Sequence, residues 1–337
     1  MFSSVQFVLP AVFLSLWANT VPYCCIQLHT YTKTLSMQRR HFLQQSAFTV
    51  GALTLANRSL LGSLFEDPWK ITMLTPELGI FSEKGGTIAF HLSKKGVIVV
   101  DSQFPEQSKH LITELKKRTK KPFKLLINTH HHGDHSSGNI SFKGEVFSIV
   151  AHDNSKKNQK NAAIQNNSLK KQLLPNITYL DNWTRKIGGE RVSLYYFGAA
   201  HTNGDSFVHF EHANIVHCGD LVFNRRFPYV DRANGANMKS WMDVLNKGLS
   251  TFDGNTKYIF GHSGTGYEVT GTADDVKAYR DFVGNTLKFV EGEIRSGKSK
   301  EEILKAKSIP GSEQWKGDGI ERPLGAAWEE LTGKPAK

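Results

Sequence analysis

The chain has 337 residues, 39% hydrophobic and 22% charged, with 29 glycines; this allows a sizeable core and is ordinary for a soluble globular enzyme, without internal repeats or low-complexity tracts. The net charge is +11, but Lys33, Arg39, Arg40 and Arg58 lie before Phe65 in a stretch without acids, leaving +7, a solubility margin rather than a nucleic-acid footprint. Of three cysteines, Cys24 and Cys25 fall in the leader and only Cys218 lies beyond it, which excludes a disulfide framework.

In chain order, residues 1–56 read as a leader. Its first 36 residues carry the apolar run FVLPAVFLSLWANTV, which has no basic flank before it. From Met37 the segment MQRRHFLQQSAFTVGALTLA places twin arginines before a mildly apolar run and a small-residue cleavage site. This pattern resembles a twin-arginine export signal, which implies the twin-arginine export machinery as a partner and a periplasmic or otherwise exported destination. The run is too short to remain as a spanning helix.

Residues 57–337 read as one domain. IAFHLSKKGVIVVDSQ predicts two strands joined by a Lys-Gly turn, and EQSKHLITELKKRTK has helical spacing at Leu111, Ile112 and Leu115. FKLLINT is an apolar strand running into HHHGDH. GEVFSIVAH predicts a strand, RVSLYYFGAAHTNGD a strand ending at His201, ANIVHCGDLVF a strand reaching Asp220, and TKYIFGHSG a strand ending at His262. MKSWMDVLNKGLSTF is an amphipathic helix, and from about residue 272 a helical extension closes the chain. Strands alternating with helices give the α/β class.

Four strand ends thus present metal-ligand side chains on the loops where catalytic groups commonly sit. In His130-x-His132-x-Asp134-His135, imidazole nitrogens and a carboxylate oxygen are ligands that zinc accepts at about 2.0–2.2 Å. His131 is expected to point away and is assigned no metal. His152, His209, His212 and His217 read as structural or exposed, and Cys218 as a buried apolar filler rather than a ligand.

Taken in order, T-H-x-H-x-D-H, H-T-x-G, G-D and G-H resemble the metallo-β-lactamase superfamily over roughly residues 80–271. The resemblance implies a four-layer αβ/βα sandwich with metals at one edge of its two sheets. It assigns His130, His132 and His201 to one zinc, Asp134, His135 and His262 to a second, and Asp220 as bridge. Iron or manganese remain compatible with such ligands. Histidine at 132, where flavo-diiron members carry Glu, favours a zinc-type site. The bridging Asp220 resembles the glyoxalase II, lactonase and phosphodiesterase branches, whereas true β-lactamases usually have Cys or Ser there.

Paired zinc ions make water a nucleophile near neutral pH and polarise the scissile bond, so no protein nucleophile is expected. Asp134 is the catalytic candidate, orienting the attacking water and relaying its proton. Asp101 is expected to hydrogen-bond the histidine loop, and Asp205 to orient His201 or a neighbour. Residues 224–235 should overhang the site, with Arg225, Arg226 and Tyr229 as substrate contacts or loop anchors. The expected function is hydrolysis of a small ester, thioester, lactone or amide, with no nucleic-acid partner. The alternatives are a β-lactamase-like amidase and an iron-dependent oxygenase resembling persulfide dioxygenases.

Overall fold

The computed structural model describes residues 68–334, which all belong to one compact unit. The twin-arginine segment and the apolar run before it lie outside the described residues.

Two sheets carry the fold. The first contains β1 (Lys70–Met73), β2 (Leu78–Ser82), β3 (Ile88–Ser93), β4 (Gly96–Val100), β5 (Phe123–Ile127), β6 (Ile149–His152) and β7 (Ile177–Tyr179), adjacent in chain order. β1 to β4 meander antiparallel, and β4 to β7 run parallel. Three parallel steps need three crossovers. They are α1 (Pro105–Arg118), the short α2 (Gly133–Ser136) with the 3-10 turn after it, and α3 (Asp153–Gln165).

The second sheet contains β8 (Asn182–Ile187), β9 (Glu190–Tyr195), β10 (Phe207–Phe210), β11 (Ile215–His217), β13 (Lys257–Ile259) and β15 (Thr270–Gly271), in the spatial order β15-β13-β11-β10-β9-β8. A two-residue parallel pair, β12 (Phe223–Asn224) with β14 (His262–Ser263), stands beside it. α4 (Met238–Thr251) crosses between β11 and β13, and α5 (Ala273–Arg295), α6 (Lys300–Ile303) and α7 (Glu321–Thr332) follow.

The core shows why the layers number four. In β4 the run Gly-Val-Ile-Val-Val is wholly buried because both faces are covered. Side chains alternate along a strand. Val97 and Val99 therefore pack with Leu111, Ile112 and Leu115 of α1, while Ile98 and Val100 pack with Val192, Leu194, Val208 and Phe210 of the second sheet. The outer face of the second sheet supplies Phe207, Val216 and Tyr258 to a cluster with Trp241 and Leu245 of α4, Tyr279 and Phe282 of α5, and Leu324 of α7. The chain is thus a four-layer αβ/βα sandwich, and the C-terminal helices are part of its fourth layer rather than an appendage. Cys218 is buried in that same apolar cluster.

The strands are shorter than expected. β9 ends at Tyr195, six residues before His201, and β11 ends at His217, before Asp220. Gly198 at φ +137 and Gly219 at φ +51 interrupt the extended backbone, and Asp220 sits in a 3-10 turn. Leaving the ladder is what lets these side chains turn away from the sheet and towards one another. Strands β1, β2, β7, β8, β10 and β15 and helix α3 are not anticipated by the sequence reading; their apolar positions are too few or too irregular for a period to stand out.

Candidate metal centre

The loops after β5, β9, β11 and β13 meet at one end of the sandwich. His130 and His132 leave β5 directly; Asp134 and His135 lie on α2. Asp101, just past β4, holds this loop. Its Oδ1 accepts from the Thr129 backbone N–H at 2.8 Å, and its Oδ2 accepts from Thr129 Oγ1 and from His135 Nδ1, each at 2.8 Å. Asp101 does so with φ at +65, a left-handed backbone that a non-glycine residue adopts only when its surroundings fix it.

Seven side chains converge. His132 Nδ1 lies 2.9 Å from His201 Nε2 and 3.1 Å from His130 Nε2. Asp220 Oδ2 is 3.5 Å from His201 Nε2 and 3.8 Å from His130 Nε2. Its other oxygen, Oδ1, is 3.1 Å from His135 Nε2 and 3.5 Å from His262 Nε2. Asp134 Oδ2 lies 3.2 Å from His262 Nε2. The donors fall into two groups, His130, His132, His201 and Asp220 on one side and Asp134, His135 and His262 on the other, each within 4.8 Å. Asp220 offers one oxygen to each.

Hydrogen-bond partners fix which ring nitrogen is bare. His132 Nε2–H donates to Asp231 Oδ2 at 2.8 Å, and His201 Nδ1–H donates to the Tyr229 carbonyl at 2.8 Å. His130 Nδ1–H donates to Thr129 Oγ1 at 3.1 Å, whose own proton goes to Asp101. The opposite nitrogens of all three rings therefore carry lone pairs and face each other without a proton between them. With His135 neutral, its single N–H goes from Nδ1 to Asp101, and the buried Asp220 Oδ1 is left without a hydrogen-bond donor. Bare nitrogens around an unsatisfied carboxylate oxygen are the donor set a cation requires, and the residues fit bound metal.

The electrostatics agree. Burial, reinforced by neighbouring histidines, lowers His201 to about 3 and holds His130 well below the usual imidazole range, so both stay neutral, the ligand form. Burial also opposes charge on His135 and His262, but Asp220 outweighs it in both, helped by Asp101 at His135 and by Asp134 at His262, and both rise. Asp220 is itself held well below the carboxylate range, because His262 and His135 overcome its burial. In Asp134 burial is likewise outweighed, by the His262 hydrogen bond and the His135 charge, and its carboxyl falls to about 2. Without metal, protons on His135 and His262 compensate the carboxylates. Metal must displace them, so its binding at these two residues weakens as pH falls.

Asp231 was not singled out in the sequence. It lies in the PYVDRANG loop eleven residues past Asp220, with no spacing signal to mark it. It also sits 3.4 Å from His131 Nε2, which explains the fourth histidine: His131 is buried and shares the carboxylate that fixes His132. Asp231→Ala is expected to weaken metal binding about 10–100-fold, measured by competition with a chromophoric chelator. Unchanged affinity would show that His132 needs no such orientation.

The cavity over the donors has a volume of about 320 Å³. Phe223 and Phe227 supply apolar wall, and Arg226, Tyr229 and Arg322 also line it. The expectation for Arg225 divides from that for its neighbours. Arg225 is a loop anchor, bonded to Asp275 Oδ1, Asn224 Oδ1 and Gln314 Oε1 at 2.9 Å each. It borders a larger cleft of about 570 Å³ that contains none of the metal-donor residues. Asp205 does not touch His201; it accepts from the Thr202 backbone N–H and Oγ1, both at 2.7 Å, and shapes the turn that carries His201. His152 and His217 are structural, donating to the Leu180 and Thr87 carbonyls.

Comparisons with known proteins point the same way. Residues 88–262 match the family model described as the metallo-beta-lactamase superfamily. The chain is 26% identical over 189 residues to Metallo-beta-lactamase IND-1 of Chryseobacterium indologenes, covering 55% of this chain and 75% of that one. It is 25% identical over 197 residues to a protein of Schizosaccharomyces pombe named as a Probable hydroxyacylglutathione hydrolase, covering 56% and 69%. Among solved structures, a metallo-beta-lactamase from Pontibacter korlensis superposes with a TM-score of 0.55 at 20% identity, covering 64% of this chain and 99% of that chain.

Proposed function

This chain belongs to the metallo-beta-lactamase superfamily, and from that premise we propose that it is a dinuclear zinc hydrolase of a small ester, thioester, lactone or amide, acting outside the cytoplasm. The observation that carries the proposal is the carboxylate of Asp220, which presents one oxygen to each of two clusters of imidazole nitrogens. His130, His132 and His201 would hold one ion, Asp134, His135 and His262 the other, with Asp220 shared. The bound ions would supply a water acidified enough to act as nucleophile near neutral pH, and would polarise the bond it attacks.

The remaining work falls to the chain's own side chains. Asp134 stays ionised and its side chain is 30% exposed, so it presents an oxygen that can orient the attacking water and take its proton. Phe223 and Phe227 keep part of the cavity dry, which strengthens every charge interaction inside it. The Tyr229 carbonyl fixes His201, so the overhanging loop is tied to a donor side chain. Asp101 fixes His135 directly and His130 through Thr129. The twin-arginine segment supports export.

A β-lactam is the second reading, favoured by the likeness to metallo-beta-lactamases. The bridging carboxylate at 220 weighs towards ester, thioester or lactone. Metal analysis with a substrate panel tests the proposal. Two zinc ions per chain are expected, with turnover of a lactone or thioester exceeding that of the β-lactam nitrocefin and lost in His132→Ala. A chain isolated with iron that consumes oxygen with a thiol persulfide, or one that binds no metal, would overturn it.

A further inference from the structure

The end of the sandwich away from the metal donors carries a dense run of cations. Residues 116–124, KKRTKKPFK, hold six lysines and arginines and no acid, and they join α1 to β5. Lys116, Lys117 and Arg118 form the last turn of α1, where the helix dipole favours positive charge. Lys120, Lys121 and Lys124 lie beyond the helix and gain nothing from it. The β3–β4 turn adds Lys94 and Lys95, both exposed. It abuts the run closely: a Cβ on Gly96 would lie 2.3 Å from Lys124 Cγ and 2.9 Å from the Pro122 carbonyl oxygen. Two acids stand nearby, Glu145 beside Lys116 and Glu114 beside Lys117. Both lysines are exposed, and surface pairs of this kind hold weakly enough to exchange for other anions.

Among these cations stands an aromatic ring. Phe147 is 64% exposed, its backbone N–H donates to the Phe123 carbonyl at 3.2 Å, and Lys124 Nζ lies 4.1 Å from its ring centroid. An apolar ring held in water beside lysines suits a membrane interface, where cations reach lipid phosphates and the ring enters the acyl boundary. A nucleic-acid duplex would be held by the cations alone and would leave the ring unused. A cleft of about 330 Å³ at Phe123, lined by Lys116, Thr119, Lys120, Lys121 and Glu145, has room for a headgroup. From Phe123, β5 runs its whole length before the donor loop begins, roughly 17 Å at about 3.3 Å per residue. A chain lying on this end therefore keeps the metal-donor cavity clear of the surface beneath it.

We propose that this basic end docks the chain on an anionic lipid bilayer, with residues 116–124 and the Lys94–Lys95 turn against lipid phosphates and Phe147 inserted at the headgroup boundary. The docking does not depend on the hydrolase reading.

The test is co-sedimentation of the full chain with phosphatidylcholine vesicles containing about 30% phosphatidylglycerol, against pure phosphatidylcholine vesicles, at about 0.15 M salt. The wild type is expected to bind the anionic vesicles at least about tenfold more tightly. Each cation near such a surface contributes about fivefold, so K94Q/K95Q/K120Q/K121Q should bind about 100-fold more weakly or worse. K239Q/K247Q/K277Q/K288Q removes as many charges from exposed positions of α4 and α5, and should stay within about threefold of the wild type. The leader is present in every variant, so the difference between the two reads this end of the fold. Phe147→Ser should weaken binding about fivefold, and Phe147→Trp should bind at least as tightly as the wild type. Equal losses in the two quadruple variants would reduce the effect to net charge and overturn the proposal. So would a wild type that binds both vesicles alike, or a Phe147→Ser variant that binds like the wild type. A DNA duplex that strips the chain from the vesicles at equal phosphate concentration, and that Phe147→Ser binds as well as the wild type does, would make this end a polyanion surface and overturn it too.

Discussion

On the proposed dinuclear hydrolase reading, replacing Asp220 with alanine is expected to lower hydrolysis by on the order of 10³-fold and to reduce the metal content from two ions per chain to one or fewer. Asp220 is 5% exposed, and its two oxygens face different histidine groups. No other carboxylate among the described residues stands between them: Asp134 lies on the His262 side, and Asp101 and Asp231 bond the outer nitrogens of the rings. Removing Asp220 would leave five imidazoles and one carboxylate, Asp134, at the edge, to hold two dications on the dinuclear reading. Asp220→Asn separates charge from shape. It keeps the side chain's volume and one carbonyl oxygen, so it should keep the fold and lose most of the activity. Metal analysis, kcat/KM and circular dichroism on both variants check this. A variant that retains two ions and ordinary turnover would show that the shared carboxylate is not what organises the centre.

The second large effect comes from a residue with no side chain. A Cβ on Gly86 would lie 2.1 Å from His135 Cε1 and 2.3 Å from Nε2. That ring is fully buried and pinned by Asp101 at 2.8 Å, so it cannot step aside. Gly86→Ala should therefore displace His135 from the second donor group. The expected result is a destabilisation of about 1–3 kcal/mol from overpacking and, on the dinuclear reading, loss of the ion that Asp134, His135 and His262 would hold. Gly189→Ala is the control, since a Cβ there meets nothing within 4 Å. Thermal denaturation and zinc content of the two variants decide the matter. If Gly86→Ala keeps both ions and the wild-type Tm, the close approach of the β2–β3 loop to His135 has no consequence.

Much of the fold was legible because it rests on local pattern. The buried run of β4, the apolar spacing of α1 and the amphipathic α4 each announce an element with a two-sided or one-sided apolar face. The donor residues were legible for a related reason. Imidazole and carboxylate chemistry is carried by residue type, and four of the seven donors lie within six residues of one another. Where the reading went astray, the fault was one of geometry. Strands were extended through His201 and Asp220, although glycines at 198 and 219 turn the chain before both. For Arg225 the two expectations, substrate contact and loop anchor, part at Asp275 on α5, which makes it an anchor.

The linear order of residues was thus enough for the α/β class and, through the family resemblance carried by the histidine and aspartate motifs, for the sandwich and for the seven side chains that the folded chain brings together, because spacing along the backbone and the chemistry of side chains need no partner to be read. Only the folded chain decided which ring nitrogen each histidine turns inward, that Asp231 fixes His132, and that an arginine from the last helix reaches the same cavity as residues nearly 200 positions earlier. Those facts depend on contacts between segments far apart in the chain, and such contacts exist only once the two sheets and their helices have packed.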